Sequence, residues 1–571
     1  MGAFFIASHG ADARSRTLDA AHRARGFALV QKIAVGGHTL FQYRKLDGHG
    51  GIFADLADGS FAFLVGQLIY RGRIGEDALR HYCLDLAQEA VHKDRVIGQF
   101  ALLLGSDNTL RLFTDPMGFY QVYLDAEAGI ASSSFWAMLE LLNGVSIDAT
   151  GIYQYAWNGT TFGGRTFVKE IRRLPPDAEV IVSERMAIRQ RPIPPASPTA
   201  PITSLGELVD IHSARLRGLF SDLANGFNGQ LRVSFSGGYD SRLILAGLRA
   251  AGLRPALFVY GREGDSDVEV ARQVAAGEGL ALDVVDKESL AGAAALSSRR
   301  QELDFIRFDG WKVDGIFDDG SDAADRQSRH DDGGVPLNGS LGEIYRNFFY
   351  IPDRPMPLRS VVDSFFSAYA PAACTERFSA RSYADSLIHV FQEALGTQTL
   401  RVARSQVERL YPLVRGRYWA GRDVNLNLRF GRMLFPFMHP QLIADTAEIP
   451  IALKNHGRLE AQLIERLAPS LAAYPSSYGY RFADPPPLRH RARSWLTLFR
   501  PPALRRHAYR LRFARRRAFP AYLAPSHLAC FMDMEMPYMR RFFHLERLHD
   551  PDVFNRVATL EYLFQRYNAH E

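Results

Sequence analysis

Residues 234–242 read SFSGGYDSR, set between an apolar run, LRV, and the helical pattern LILAGLRAAG. Where a parallel strand turns into a helix, these residue types bind an anion. Gly237 and Gly238 carry no side chains, so backbone N–H groups can approach a phosphate closely. A helix beginning near Asp240 points the positive end of its dipole at the same spot, and Ser236 and Ser241 add hydroxyl donors. Asp240 would repel a bare phosphate, so its carboxylate implies a bridging Mg2+. The string is neither GxxxxGK[ST], because no lysine follows, nor GxGxxG. The bland alternative is a tight turn with a capping serine. The full string favours a pyrophosphate cradle formed by Ser236, Gly237, Gly238, Tyr239, Asp240 and Ser241.

Such a cradle needs a strand–helix–strand frame, and the surrounding pattern supplies one. Strand-like LRVSF (231–235) precedes the turn, ALFVYG (256–261) follows the helix, then come helical DVEVARQVAAGEG and strand-like LALDVVD. Strands separated by helical segments predict parallel βαβ units. The first part reads differently. Short apolar runs such as FAFLVGQLIY and GQFALLLGSDNTLRLFTD alternate with Gly/Asp turns, predicting a layered β-rich domain with a few helices, DALRHYCLDLAQEAV among them. Proline-rich RPIPPASPTAPI (191–202) reads as a linker. The expected division is a first domain over 1–190, a linker over 191–204 and a second domain over 205–571. Within the latter, DDGSDAADRQSRHDDGG (318–334) is expected to be a mobile loop, and the chain beyond about 360 to be mostly helical.

At 571 residues the chain predicts two to four domains. Hydrophobic content of 47% and charged content of 23% are those of a globular protein. No run approaches the ~18 apolar residues of a membrane span, and the start, MGAFFIASHGADARSR, lacks the basic lead of a secretory signal. Cys83, Cys374 and Cys530 are too scattered for a metal cluster or a disulfide framework, which suits a reducing cytoplasm. The net charge is +6, yet residues 489–517 hold eleven arginines and no acid, so everything else sums to about −5. Nucleic acid is therefore not expected as a partner of the whole chain. The arginine segment predicts a solvated basic helix pair broken at Pro501 and Pro502, with docking of an acidic peptide, a carrier or nucleic acid on that segment as the alternative. Trp495, Leu498, Phe499, Leu504, Tyr509 and Phe513 interleave, so one face should pack on the protein.

SGGxDS resembles the pyrophosphate loop of the N-type ATP pyrophosphatases, and further stretches resemble the asparagine synthetase branch of that superfamily. TDPMGFYQVY (114–123), ASSSFWAML (131–139) and GGRTFVKEIRRLPPDAEVIVS (163–183) follow the order of that branch's glutaminase-like domain. SDVEVARQVAAGEGL (266–280) and FPFMHPQLIADTAEIPIALKNHGRLEAQLIERLAP (435–469) are similar to segments of its synthetase domain. The resemblance covers nearly the whole chain. It implies an α/β protein: an N-terminal Ntn-hydrolase-like α+β sandwich of the class II glutaminase type, then a parallel-sheet ATP-pyrophosphatase domain, adenine nucleotide alpha hydrolase-like, with a helical C-terminal part. It implies ATP on the loop, adenine near Val259, Tyr260 and Gly261, and Mg2+ as cofactor.

The departures shape the function implied. Glutamine-dependent relatives expose a cysteine at position 2, where this chain has Gly2, and their Asn-Gly-Glu stretch appears as Val65-Gly66-Gln67. Glutamine hydrolysis is therefore not expected. Beta-lactam synthetases and lasso-peptide macrolactam synthetases show similar losses. The acidic second signature appears as NGSLGEIYR (338–346), leaving Gly339 and Glu343, so Asp240 and Glu343 are the implied metal ligands. The late loop, YPSSYGYR (474–481), lacks the family's lysine; Arg481, Lys454 and Arg346 are the candidate replacements. The resemblance implies an ATP-dependent ligase that adenylates an unidentified carboxylate, small molecule or peptide, and lets an amine displace AMP. Open beside it are a non-catalytic nucleotide-binding scaffold, an asparagine synthase using free ammonia, and a tRNA- or sulfur-handling enzyme. Homodimerisation is also left open.

Overall fold

Apolar residues at consecutive positions in a strand must go to opposite faces, and in Phe61–Gly66 they do. Ala62 and Leu64 pack with Ala78, Leu79 and Tyr82 of the helix Gly75–Ala87, while Phe63 and Val65 join a second core with Phe4, Phe5 and Phe41. The strand is thus buried on both sides. A computed structural model describes residues 3–24, 27–44, 51–57, 59–106, 108–191, 204–227, 229–290, 298–330 and 333–570. Gly2 and most of the expected linker, residues 192–203, lie outside that set.

The first part of the chain forms two six-stranded antiparallel sheets. One is built around Ala3–Ser8, between Ile130–Ser132 and His38–Arg44. The other is built around Phe61–Gly66, Phe100–Ser106 and Thr109–Thr114. The helix Asp12–Ala24 covers the outer face of the first through His22, whose ring stacks 4.5 Å from that of Tyr43. The layered, β-rich arrangement matches the alternation read from the sequence.

The second part carries a four-stranded parallel sheet in the order Leu282–Val285, Ala256–Tyr260, Leu231–Ser234, Val335–Leu337. Val233 pairs with Leu257 on one side and Leu337 on the other. The inner strand Ala256–Tyr260 is a continuous apolar run, as a strand covered on both faces should be, whereas in Leu231–Ser234 only Leu231 and Val233 are fully buried. Each fully buried Leu or Val contributes roughly 1.5–3 kcal/mol. Pro336 cannot donate to a ladder and sits on an edge strand, where that costs nothing.

Beyond residue 358 the chain is mostly helical. The expected loop at 318–334 is instead built around a helix, Ser321–Ser328. Ion pairs order it: Lys312 reaches Asp318 and Asp322 at 2.5 and 2.9 Å, and Arg326 reaches Asp423 at 3.0 Å. Its polar composition concealed partners far away in sequence. The two parts meet at buried Asp309, which accepts from the Phe135 and Trp136 N–H groups at 2.9 and 3.2 Å and pairs with Arg422 at 3.0 Å. Among the described residues no helix is long and apolar enough to cross a membrane.

Candidate nucleotide-binding site

The strand Leu231–Ser234 ends at the turn Phe235–Gly238, and the helix Tyr239–Ala250 begins directly after it. Gly237 sits at φ +67°, and a Cβ there would lie 2.8 Å from Val270 Cγ1, so only glycine fits. Gly238 is the N-cap and supplies no side-chain cap, which leaves first-turn N–H groups of the helix without an intrahelical partner. Ser236 is exposed, and its N–H donates to Ser241 Oγ at 3.2 Å, with the two hydroxyls 3.3 Å apart. On one flank the late loop closes in: Ser477 N–H donates to Gly237 O at 3.3 Å, and the Tyr478 hydroxyl lies 3.9 Å from where a Gly238 Cβ would stand. On the other flank, at the carboxyl ends of the strands, Ser234, Tyr260 and Asn338 border a cavity of about 370 Å³. The turn is therefore roofed on one side and open on the other.

Arg242 fixes that relationship. It is fully buried and donates to the carbonyls of Gly237, Leu471, Tyr474 and Pro475, with the last at 2.6 Å. One planar guanidinium thus ties the glycine turn to the late loop, which a lysine could not do.

Three carboxylates converge beside the turn around one guanidinium. Arg346 Nη2 donates to both oxygens of Asp240 at 2.8 and 2.7 Å, and lies 3.9 Å from Glu343. Its Nε is 3.1 Å from Glu460 Oε2, an ion pair whose angle misses that of a hydrogen bond, since both Glu460 oxygens are buried without one. Glu343 accepts from the Tyr411 hydroxyl at 2.7 Å, and the Tyr411 ring stacks on Phe348. Burial pushes Asp240 up to about 6, with Arg346 pulling down and Glu343 pushing up. Burial and then the Asp240 charge push Glu460 well above the usual carboxylate range, with Arg346 opposing. The loop Asn338–Arg346 comes so close that a Cβ on Gly342 would stand 2.2 Å from Asp240 Oδ1, and one on Gly339 3.0 Å from Asp240 Cβ. Leu341, between them, holds φ +73°, a conformation costing about 1–2 kcal/mol in a branched residue.

The sequence-predicted residues separate into groups. The loop residues 236–241, Gly339 and Glu343 come together. The Tyr239 side chain, however, faces the interior, stacked 4.0 Å from Phe482 with its hydroxyl 2.7 Å from that of Tyr480, so only its backbone faces the site. Val259 is buried in the core; Tyr260 lines the cavity; Gly261 holds φ +142° after the strand. Lys454 does not join them: it is buried and bound to Glu408 Oε2 at 3.0 Å. Arg481 is exposed, its backbone bridged to Pro475. The cation at Asp240 is Arg346. Two residues escaped the sequence reading, Glu460 and Tyr411. Glu460 left a signal, a carboxylate within the apolar stripe Leu459, Leu463, Ile464, Leu467; Tyr411 left none.

Among the described residues no three Asp, Glu, His or Cys side chains form a metal cage. Two carboxylates suit a Mg2+ that arrives with phosphates, since Mg2+ in such sites takes one or two carboxylates and completes its shell from the ligand. Asp240 and Glu343 share one cation, Arg346, at 2.7 and 3.9 Å, which leaves the two carboxylates short of positive charge.

No family model matches the chain, and no curated protein matches it by sequence. A solved structure described as the allosteric regulatory enzyme of purine biosynthesis is similar to it over 50% of this chain and 80% of its own, at 13% identity and a TM-score of 0.23. The glutamine phosphoribosylpyrophosphate amidotransferase of B. subtilis, complexed with ADP and GMP, is similar over 51% of this chain and 92% of its own, at 11% identity and a TM-score of 0.24. Likenesses this slight decide neither fold nor reaction.

Proposed function

We propose that the chain is an ATP- and Mg2+-dependent amide-forming enzyme of the asparagine synthetase superfamily that adenylates a carboxylate and lets an amine displace AMP. The observation that carries the reading is the uncapped glycine turn at the carboxyl end of an inner parallel strand, with Asp240 at its first helical turn and Glu343 facing it. Backbone N–H groups there are disposed to take a leaving pyrophosphate. Asp240 and Glu343 would hold Mg2+, which would neutralise and bridge the phosphates. Of the three candidates for the missing lysine, Arg346 takes the role rather than Arg481 or Lys454, offering a fixed positive charge at the phosphates in exchange for its hold on Asp240. The layered first domain, with Val65-Gly66-Gln67 in place of the glutamine-holding stretch, acts as scaffold rather than glutaminase.

The test is ATP–pyrophosphate exchange across candidate carboxylates, with glutamate release from glutamine as a control. Exchange that depends on one carboxylate and is abolished by Asp240→Ala supports the site; full exchange in that variant refutes it. A second reading, a non-catalytic nucleotide-binding homologue, is favoured by one observation: Arg346 already engages both oxygens of Asp240. ATP binding without exchange for any carboxylate would select it.

A further inference from the structure

Seven of the fourteen large hydrophobic side chains exposed among the described residues fall between Leu488 and Phe519, inside the most basic stretch of the chain. Six of them, all but Phe519, are arranged on two helices, Leu488–Phe499 and Pro502–Ala514. In the first, exposed Leu488, Ala492, Trp495 and Phe499 follow i, i+4, i+7, i+11 spacing and form one stripe, with Leu496 at its edge. His490, Ser494 and Leu498, half-buried, turn the opposite way. Exposed Arg489, Arg491 and Arg493 flank the stripe on both sides. In the second helix Leu504, Ala508 and Leu511 are exposed at i, i+4, i+7, while Arg505, Tyr509 and Phe513 face the body.

The inward faces are anchored. Arg505 donates to Phe349 O at 2.7 Å and to Thr497 O at 3.0 Å, which joins the two helices, and Tyr509 donates to Ser364 O at 3.1 Å. The Phe513 ring lies 5.5 Å from that of Trp157. One face of the pair therefore packs on the protein as expected, through Leu498, Tyr509 and Phe513, but Trp495, Phe499 and Leu504 of the interleaved set do not share it and remain 57, 56 and 54% exposed.

We infer that this helix pair is a peripheral docking element for an anionic lipid surface, lying in the headgroup region with its apolar stripes inserted and its arginines on lipid phosphates. Apolar stripes with aromatic and aliphatic tips, bordered by arginines, are what an interfacial helix needs. The other occupants fit less well. Nucleic acid would engage the arginines and leave Leu488, Leu496 and Leu511 in water. A second copy would set arginine against arginine, with no acid anywhere in 489–517. A protein that wraps a basic helix needs all its faces, and the inner ones are already occupied.

The test uses the full chain, sedimented with vesicles of mixed phosphatidylglycerol and phosphatidylcholine and with vesicles of phosphatidylcholine alone. Binding to the anionic vesicles only, weakened by salt and accompanied by a blue shift of Trp495 emission, is expected. Trp495→Ser or Leu496→Ser should weaken it about tenfold or more through lost apolar insertion. Arg489→Gln or Arg493→Gln should weaken it about fivefold each, near the ~1 kcal/mol that a cation contributes at such a surface. All four positions are exposed, and an unchanged circular dichroism spectrum verifies folding. No vesicle binding, equal binding to neutral vesicles, or serine variants that bind as the wild type does would overturn the inference. So would RNA retention, or a dimer that shields Trp495 and excludes vesicles.

Discussion

Replacing Arg346 with methionine removes the guanidinium shared by Asp240, Glu343 and Glu460, keeping much of the side-chain volume. Breaking a buried ion pair from one side costs about 3–5 kcal/mol, since the remaining charges are left uncompensated. The pH dependence makes the prediction specific. Asp240 is raised from 3.8 to about 6 in the folded state, chiefly by burial, so the folded chain holds a proton there that the unfolded chain has released. Stability therefore falls as pH rises through that window. Arg346 opposes this at both Asp240 and Glu460; without it both pKa values climb and the window extends upward. One extra proton retained over about two to three pH units costs about 3–4 kcal/mol, at 1.36 kcal/mol per unit. Urea midpoints of Arg346→Met and wild type, measured near pH 5 and pH 8, should differ by about 3–5 kcal/mol at the higher pH and by about 1–2 kcal/mol at the lower. A deficit equal at both pH values, or below about 1 kcal/mol at the higher, would refute the charge balance described.

Three further outcomes follow from the geometry. Arg242→Lys should destabilise by about 3–5 kcal/mol and expose the late loop to protease, because one ammonium cannot serve four carbonyls spread over two segments; limited proteolysis near Tyr474–Arg481 reads this out. Gly342→Ala would place a methyl 2.2 Å from Asp240 Oδ1, displacing the carboxylate from Arg346, and should lower thermal stability by about 1–3 kcal/mol and abolish any ATP–pyrophosphate exchange. Asp309→Asn keeps the left-handed conformation at φ +57°, which asparagine tolerates, and isolates the charge. Because Asp309 titrates below its ordinary 3.8, with Arg429 and Arg422 outweighing burial, its contribution exists above that value and fades as pH falls. The variant should lose about 2–4 kcal/mol near neutrality and less below about pH 3, as thermal melts would record.

Much of the frame was legible because it is local. Apolar runs such as FAFLVG alternating with Gly/Asp turns, apolar stretches at 231–235 and 256–261, and glycines at 237 and 238 each express backbone geometry within a few residues, and strands, helix and turn fall where those patterns place them. The site's charges were not legible, because they are long-range. Arg346 meets Glu460 across more than a hundred residues, and Lys454, plausible by residue type alone, is consumed by Glu408. The acidic 318–334 stretch looked unstructured because its partners, Lys312 and Asp423, lie outside it.

Residue types and their spacing determined that phosphate chemistry is concentrated at one strand–helix turn and that positive charge is concentrated in one late segment. Only tertiary packing decided which guanidinium stands beside Asp240, and which apolar side chains of the basic helices stay in water. The physical reason is the same in both cases: charge pairing and burial depend on distance in space, which a chain sets only once its distant segments have met.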